Sequence, residues 1–179
     1  MYERALAGKE RALGADHPDT LDTVCSLANF LKMQGKLDEA KPLYDRAVAG
    51  SERANGADHP STLLYQSNRG ELLRRAGDAA AAEADQRRAL AGLETAHGDR
   101  HQWTLVAVAR LALLLAEQGR AAEAEAVYTD ALQGAPLDVQ VPETRAAIDA
   151  LSQLLPGGCL LYTSPSPRDQ RGSRMPSSA

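Results

Sequence analysis

The chain has 179 residues, 44% of them hydrophobic but only 4% aromatic, and a formal net charge of −4. Mixed charge of this kind lacks the basic footprint of a nucleic-acid binder, and no apolar run approaches the ~20 residues that span a bilayer. The two cysteines, Cys25 and Cys159, sit in unlike contexts, which argues against a disulfide framework and makes a reducing, cytoplasmic setting the expectation.

The chain opens on YERALAGKERALGADHPDTL, from Tyr2 to Leu21, and the stretch returns from Tyr44 to Leu63 as YDRAVAGSERANGADHPSTL. Fifteen of the twenty positions agree. His17, His59 and His101 lie 42 residues apart, and Gly14, Gly56 and Gly98 keep the same interval. A fixed period of this size is the signature of a stacked repeat array. Residues 1–17 then read as a second helix and its linker, and residues 18–59 as the first full unit.

Within that unit Leu21, Val24, Leu27, Ala28 and Leu31 recur at three- and four-residue steps, one apolar stripe of a helix. Gly35 ends it, because glycine accepts the left-handed backbone at a helix terminus. Gly77 and Gly119 recur at the same phase. A second helix follows each stop, over residues 37–55, 79–96 and 121–133. Asp38 and Asp78 are the expected N-caps of the first two. Pro42 is placed near a first turn, where the missing N–H costs little. The linker Gly-Ala-Asp-His-Pro joins the units at Gly14–Pro18 and Gly56–Pro60, its proline opening the next helix. The third linker has Gln102 in place of the proline.

Residues 60–101 form a degenerate unit. Gln66, Arg69 and Gln86 stand where the other units carry large apolar or aromatic residues, and Gly70 aligns with Ala28 and Ala112. An unpaired buried Arg69 is costly, so its head must reach water or a carboxylate. This unit is expected to be the weakest. Residues 102–141 form the third unit, and residues 142–155 read as a further first helix. Residues 156–179 are rich in Ser, Pro, Gly and Arg and show no helical period. That composition predicts disorder. LLYTSPSPRDQRGSRMPSSA resembles a translated sequencing-adapter read-through, so the tail is expected to be non-native, and Cys159, Ser164 and Ser166 receive no role.

The packing positions separate the two repeat classes that fit such a unit. Val24, Leu27, Ala28 and Leu31, then Ala40, Tyr44 and Ala47, and again Val108, Leu111, Ala112 and Leu115, then Ala124, Tyr128 and Ala131, resemble the tetratricopeptide repeat rather than a HEAT or armadillo unit. The long period, the Ala40-Lys41-Pro42-Leu43-Tyr44 run and the Gly-x-x-His-Pro linker resemble the kinesin light chain type. The resemblance covers Tyr2 to about Leu155. It implies an all-α fold, a solenoid of antiparallel helix pairs, acting as a scaffold that takes a peptide of a protein partner on its concave face. A structural or self-association array within a larger protein is the alternative.

In the resembled family the first helices line the groove. Carried over, that places Cys25, Asn29, Lys32 and Met33 in the groove from the first unit. Ser67, Glu71, Arg74 and Arg75 follow from the second, then Ala109, Leu113, Ala116 and Glu117 from the third. The family's groove asparagine is absent at Cys25, Ser67 and Ala109. Lys32, Arg74 and Arg75 favour some acidic character in the ligand.

No chemistry emerges beside this. Helices pack ~8–10 Å apart, whereas two nitrogens on one zinc lie within ~4 Å of each other, so the repeated histidines do not form a metal site. Their expected role is to bond local backbone and set the entry of the next helix. No nucleophile recurs beside the Asp-His pairs, so no enzyme activity and no cofactor is expected. Cys25 reads as a small surface or groove residue, and Trp103 as a half-exposed aromatic at a helix start.

Overall fold

A computed structural model describes residues 2–132, with side chains to Tyr128. The expectations for residues 133–179, including the further first helix at 142–155 and the Ser-Pro tail, lie outside the described residues. Among the described residues there are seven α-helices and no strand. They are α1 (Tyr2–Leu13), α2 (Pro18–Met33), α3 (Leu37–Asn55), α4 (Pro60–Arg75), α5 (Ala79–His97), α6 (Gln102–Glu117) and α7 (Ala121–Leu132).

Each first helix starts directly after a histidine of the series, and the imidazole is its N-cap. Nδ1 of His17, His59 and His101 accepts the backbone N–H two residues on, from Asp19, Ser61 and Trp103, at 3.2, 3.3 and 3.3 Å. One first-turn donor is thereby satisfied in each helix. Pro18 and Pro60 occupy the next position, where no N–H is needed. The linker turns on Gly56, whose φ of 96° suits glycine and no β-carbon-bearing residue. Its carbonyl is held by the Thr62 hydroxyl at 2.9 Å.

Two local expectations need correction. Asp78 caps α5 by accepting from the Ala81 N–H, but Asp38 does not cap α3. The cap position there is Lys36, which makes no side-chain cap bond, and Asp38 lies in the first turn. Its carboxylate is favourable near a helix N-terminus even without a cap bond. Pro42 lies inside α3, beyond the first turn. It removes the donor for the Asp38 carbonyl, and Asp38 is exposed, so water can serve that oxygen.

The helix pairs close on small residues. Ala28, Ala40, Ala47, Ala82, Ala89, Ala112 and Ala124 are all fully buried. Gly50 and Gly92 let the backbones approach still closer. A β-carbon on Gly92 would stand 2.5 Å from Leu63 Cδ1, and one on Gly50 would stand 2.7 Å from Leu21 Cδ2. Tyr44 lies fully buried in a core cluster built from α1, α2, α3 and α4.

The apolar core is broken in the degenerate unit. Leu63, Leu93 and Ala107 form one small cluster, and Leu73, Ala82 and Leu114 another. Between them lies a polar seam. Arg69 forks onto Asp85 at 2.7 and 2.8 Å and reaches Asp45 of the preceding unit at 3.2 Å. Gln86 donates to the Ser67 carbonyl at 2.8 Å and accepts from the Ser67 hydroxyl at 3.0 Å. Gly70 belongs to the same substitution, since a β-carbon there would meet Gln86 Nε2 at 2.8 Å. Arg69 thus finds the carboxylate its burial demands. The Gln66 side-chain oxygen is buried without a partner, as is the Thr20 hydroxyl, and each such orphan costs stability.

Candidate functional site: the face of the first helices

The first helices α2, α4 and α6 touch in series, whereas the second helices are held further apart. The first helices therefore share one continuous face of the array. Side chains bridge them directly. Tyr65 on α4 donates to Asp22 on α2 at 2.5 Å, and Asn68 Nδ2 points at Cys25 Sγ at 3.5 Å. Arg110 on α6 donates to the Ser67 hydroxyl and to Asn68 Oδ1 at 2.9 and 3.0 Å.

This close spacing changes the role of several expected groove residues. Cys25, Ser67 and Ala109 are not open to a ligand. They are 5%, 2% and 1% exposed, and Cys25 and Ser67 are bonded from the neighbouring first helix. Burial pushes the Cys25 thiol up to about 11, so it stays protonated. Asn29 and Leu113 remain half-buried on the face, and Met33 stands out at the end of α2, 80% exposed. Ala116 is half-buried and Glu117 exposed.

Arg74 is half-buried and Arg75 exposed, and each is paired within the chain. Both clamp Glu71, Arg74 through two bonds of 2.9 and 3.1 Å and Arg75 through one of 2.7 Å. Arg74 also reaches Glu117 on α6 at 2.5 Å. Burial alone would raise the Glu71 carboxyl, but the bonds from Arg74 and Arg75 prevail and hold it down to about 2. The two arginines therefore spend much of their charge inside the chain.

Lys32 is different. It is 7% exposed, and its ammonium lies over the Tyr44 ring, 5.6 Å from the centroid. Burial, and then the positive Arg110, depress it to about 8. The Tyr44 hydroxyl, itself raised by burial, donates to Asn29 Oδ1 at 2.6 Å and so orients that amide. Asn29, Lys32, Asn68 and Arg110 are the polar groups that this face holds in fixed positions. Asn68 and Arg110 escaped the sequence reading. They are one residue beyond the family's asparagine position, and they recur at the period of the array.

Trp103 lies in the first turn of α6. Its ring packs edge-on against His97 and His101 at 5.3 and 5.0 Å and against the Leu63–Leu93 cluster. That packing gives the ring a structural role. Among the described residues no cluster of three or more His, Cys, Asp or Glu is placed to hold a metal ion. None of the described helices is long and apolar enough to cross a membrane.

The family profile described as tetratricopeptide repeat matches residues 21–95 and 65–136, and a second profile of that description matches residues 1–19. The chain belongs to the tetratricopeptide repeat family. No curated protein sequence matches it. Among solved structures it is similar to a Podosopora anserina kinesin light chain-type protein with nearly identical TPR-like repeats. That match has 22% identity and a TM-score of 0.70, over 86% of this chain and 73% of that one. A second crystal structure of the same repeats gives 22% and 0.69, over 86% and 74%. BtubC (BKLC) from P. vanneervenii gives 16% and 0.72, over 86% of this chain and 62% of that one. At these identities the likeness shows the fold, a tetratricopeptide solenoid whose structural relatives are kinesin light chain-type repeats. Arrays of this family generally mediate protein–protein interaction and are typically non-catalytic scaffolds.

Proposed function

We propose that the concave face of α2, α4 and α6 binds an extended peptide segment of a protein partner, one with acidic character. The observation that carries this reading is the set of fixed polar groups along that face, Asn29, Lys32, Asn68 and Arg110, held by Tyr44, Cys25 and Ser67. Pre-oriented amides suit a peptide backbone, because little side-chain entropy is then lost on binding. Met33, Leu113 and Ala116 supply apolar contact beside them. Acidic character follows from Lys32, while Arg74 and Arg75 contribute less, tied as they are to Glu71.

The test begins with peptides selected from a random display library on the immobilised chain. Asn68→Trp fills the concave face, and Arg88→Trp alters an exposed site on α5. A selected peptide should bind Asn68→Trp at least tenfold more weakly and Arg88→Trp within twofold of the parent. The reverse pattern would overturn the assignment.

A second reading has its own observation. Tyr2, Phe30 and Met33 are 43%, 44% and 80% exposed, with the Tyr2 and Phe30 rings 5.8 Å apart. That apolar edge suits self-association or packing against another part of a larger protein. A sedimentation coefficient that rises with concentration in the parent but not in Phe30→Ser would support it. A cytoplasmic location accompanies both readings, and a fluorescent fusion found at another site in the cell would count against it.

A further inference from the structure

We infer that residues 142–155 of a second copy dock against the exposed edge of α1 and α2, so that copies join end to end. This rests on the self-association reading above and names the segment that fills the edge.

The period shows what the edge lacks. Tyr2 and Ala5 of α1 are exposed, whereas their counterparts one unit on, Tyr44 and Ala47, are fully buried in a cluster with Leu21, Val24 and Ala28 of the first helix α2. A β-carbon on Gly50 or Gly92 would strike Leu21 or Leu63, but one on Gly8, in phase with them, would meet nothing within 4 Å. Phe30 on α2 is 44% exposed, whereas Leu72 and Leu114, in phase with it, are buried in clusters shared with the preceding unit. The Tyr2 and Phe30 rings lie 5.8 Å apart, so these sites form one patch. A first helix laid beside α1 would cover Tyr2, Ala5 and Gly8 and complete the unit that Phe30 faces, because each unit of a solenoid packs on its neighbours.

Residues 142–155 carry the matching pattern. Counted from Pro142 as from Pro18, Ile148, Leu151, Ser152 and Leu155 stand where Val24, Leu27, Ala28 and Leu31 stand in α2. Gln153 stands in the place of Asn29, whose amide oxygen accepts from the Tyr44 hydroxyl at 2.6 Å. It offers the Tyr2 hydroxyl the same bond. Arg145 replaces Leu21, and its stem can cover Gly8 while its head reaches water. The edge and the segment are different surfaces, so the contact is heterologous and a pair keeps one free end of each kind. Growth past two copies follows.

The experiment uses the full chain in sedimentation equilibrium, which reads mass. The parent should gain mass with concentration and pass two copies. Leu151→Asp spoils the segment, and Ala5→Arg spoils the edge at an exposed site that the fold of one copy does not need. Each variant alone should stay at one copy. Mixed in equal amounts they should form a pair and stop there, since the sound edge of one meets the sound segment of the other. A parent that remains at one copy up to about 0.5 mM, where even a millimolar contact is visible, would overturn the inference. So would a mixture no heavier than its parts, or a Leu151→Asp chain that associates like the parent. In that last case Phe30→Ser added to Leu151→Asp separates the two readings. Association then lost leaves the apolar edge standing as a surface that pairs with itself, and association retained rejects the edge as well.

Discussion

The degenerate unit offers the sharpest energetic test. At the positions of Arg69 and Asp85 the first unit has Leu27 and Leu43, and the third has Leu111 and Val127. An apolar pair has become an ion pair. The Arg69 and Asp85 side chains are 24% and 12% exposed, and the fork between them measures 2.7 and 2.8 Å. Arg69→Leu strands the Asp85 carboxylate in a buried site, which should cost about 3 kcal/mol. Asp85→Leu leaves Arg69 its second contact, Asp45 at 3.2 Å, and that acid is 42% exposed. Its loss should be smaller, ~1–2 kcal/mol, because the guanidinium can still reach water. The double variant Arg69→Leu/Asp85→Leu recreates the leucine pair of the first unit. Replacing a buried ion pair by well-packed apolar groups is often neutral or stabilising. The double variant should therefore match or exceed the parent, with a coupling energy of at least ~2 kcal/mol between the sites. Urea unfolding followed by helical circular dichroism measures all four proteins of the cycle. A double variant as unstable as the two single losses added together would refute the reasoning.

Ala124→Leu forces a larger side chain into a fully buried helix contact and should cost ~1–3 kcal/mol; equal thermal stability to the parent would overturn the packing register. Burial lowers Lys32 to about 8, so the folded chain gives up this proton earlier than the unfolded chain does. The cost of the buried charge is then full below pH 8 and is relieved as pH rises toward the unfolded value of about 10.4. Lys32→Met should be more stable than the parent at pH 7, by on the order of 2 kcal/mol, with the gap closing toward pH 10.5; a gap that is independent of pH would contradict this. Glu71 is held down to about 2, so its stabilisation is present above its unfolded value near 4.5 and is lost as pH falls through 2. Glu71→Gln should remove that part of the acid unfolding limb. Arg74→Glu with Arg75→Glu should destabilise the fold by about 3 kcal/mol or more, read as a lower urea midpoint, because Glu71 would lose its donors and face two further acids. An unchanged midpoint would show the clamp to be incidental.

The array was legible because its period repeats both signals at once. Each histidine and glycine marks a linker, and each alanine marks a tight contact, so the helices 18–33 and 37–55 follow from residue spacing alone. The need of Arg69 for water or a carboxylate was legible too, since burial of an unpaired charge is too costly; that the partner is Asp85 was not. The groove was less so. Whether Cys25, Ser67 and Ala109 face a ligand depends on how closely the first helices approach, a distance that no single-helix pattern contains. The Glu71 clamp lay within reach, because Arg74 and Arg75 stand three and four residues beyond it on one helix face. Asn68 and Arg110 were readable only in pairs, as residues that cross from one unit to the one before. Asp38 misled because an acid in the first turn and an acid at the cap look alike in sequence.

The claim that peptide binding belongs to the first helices has one direct test. Amide hydrogen exchange of the chain is compared with and without a display-selected peptide. Added protection should fall on α2, α4 and α6, centred on residues 25–33 and 64–75, with α3, α5 and α7 unchanged. Protection on the second helices, or on the apolar edge of Tyr2 and Phe30 alone, would contradict the account.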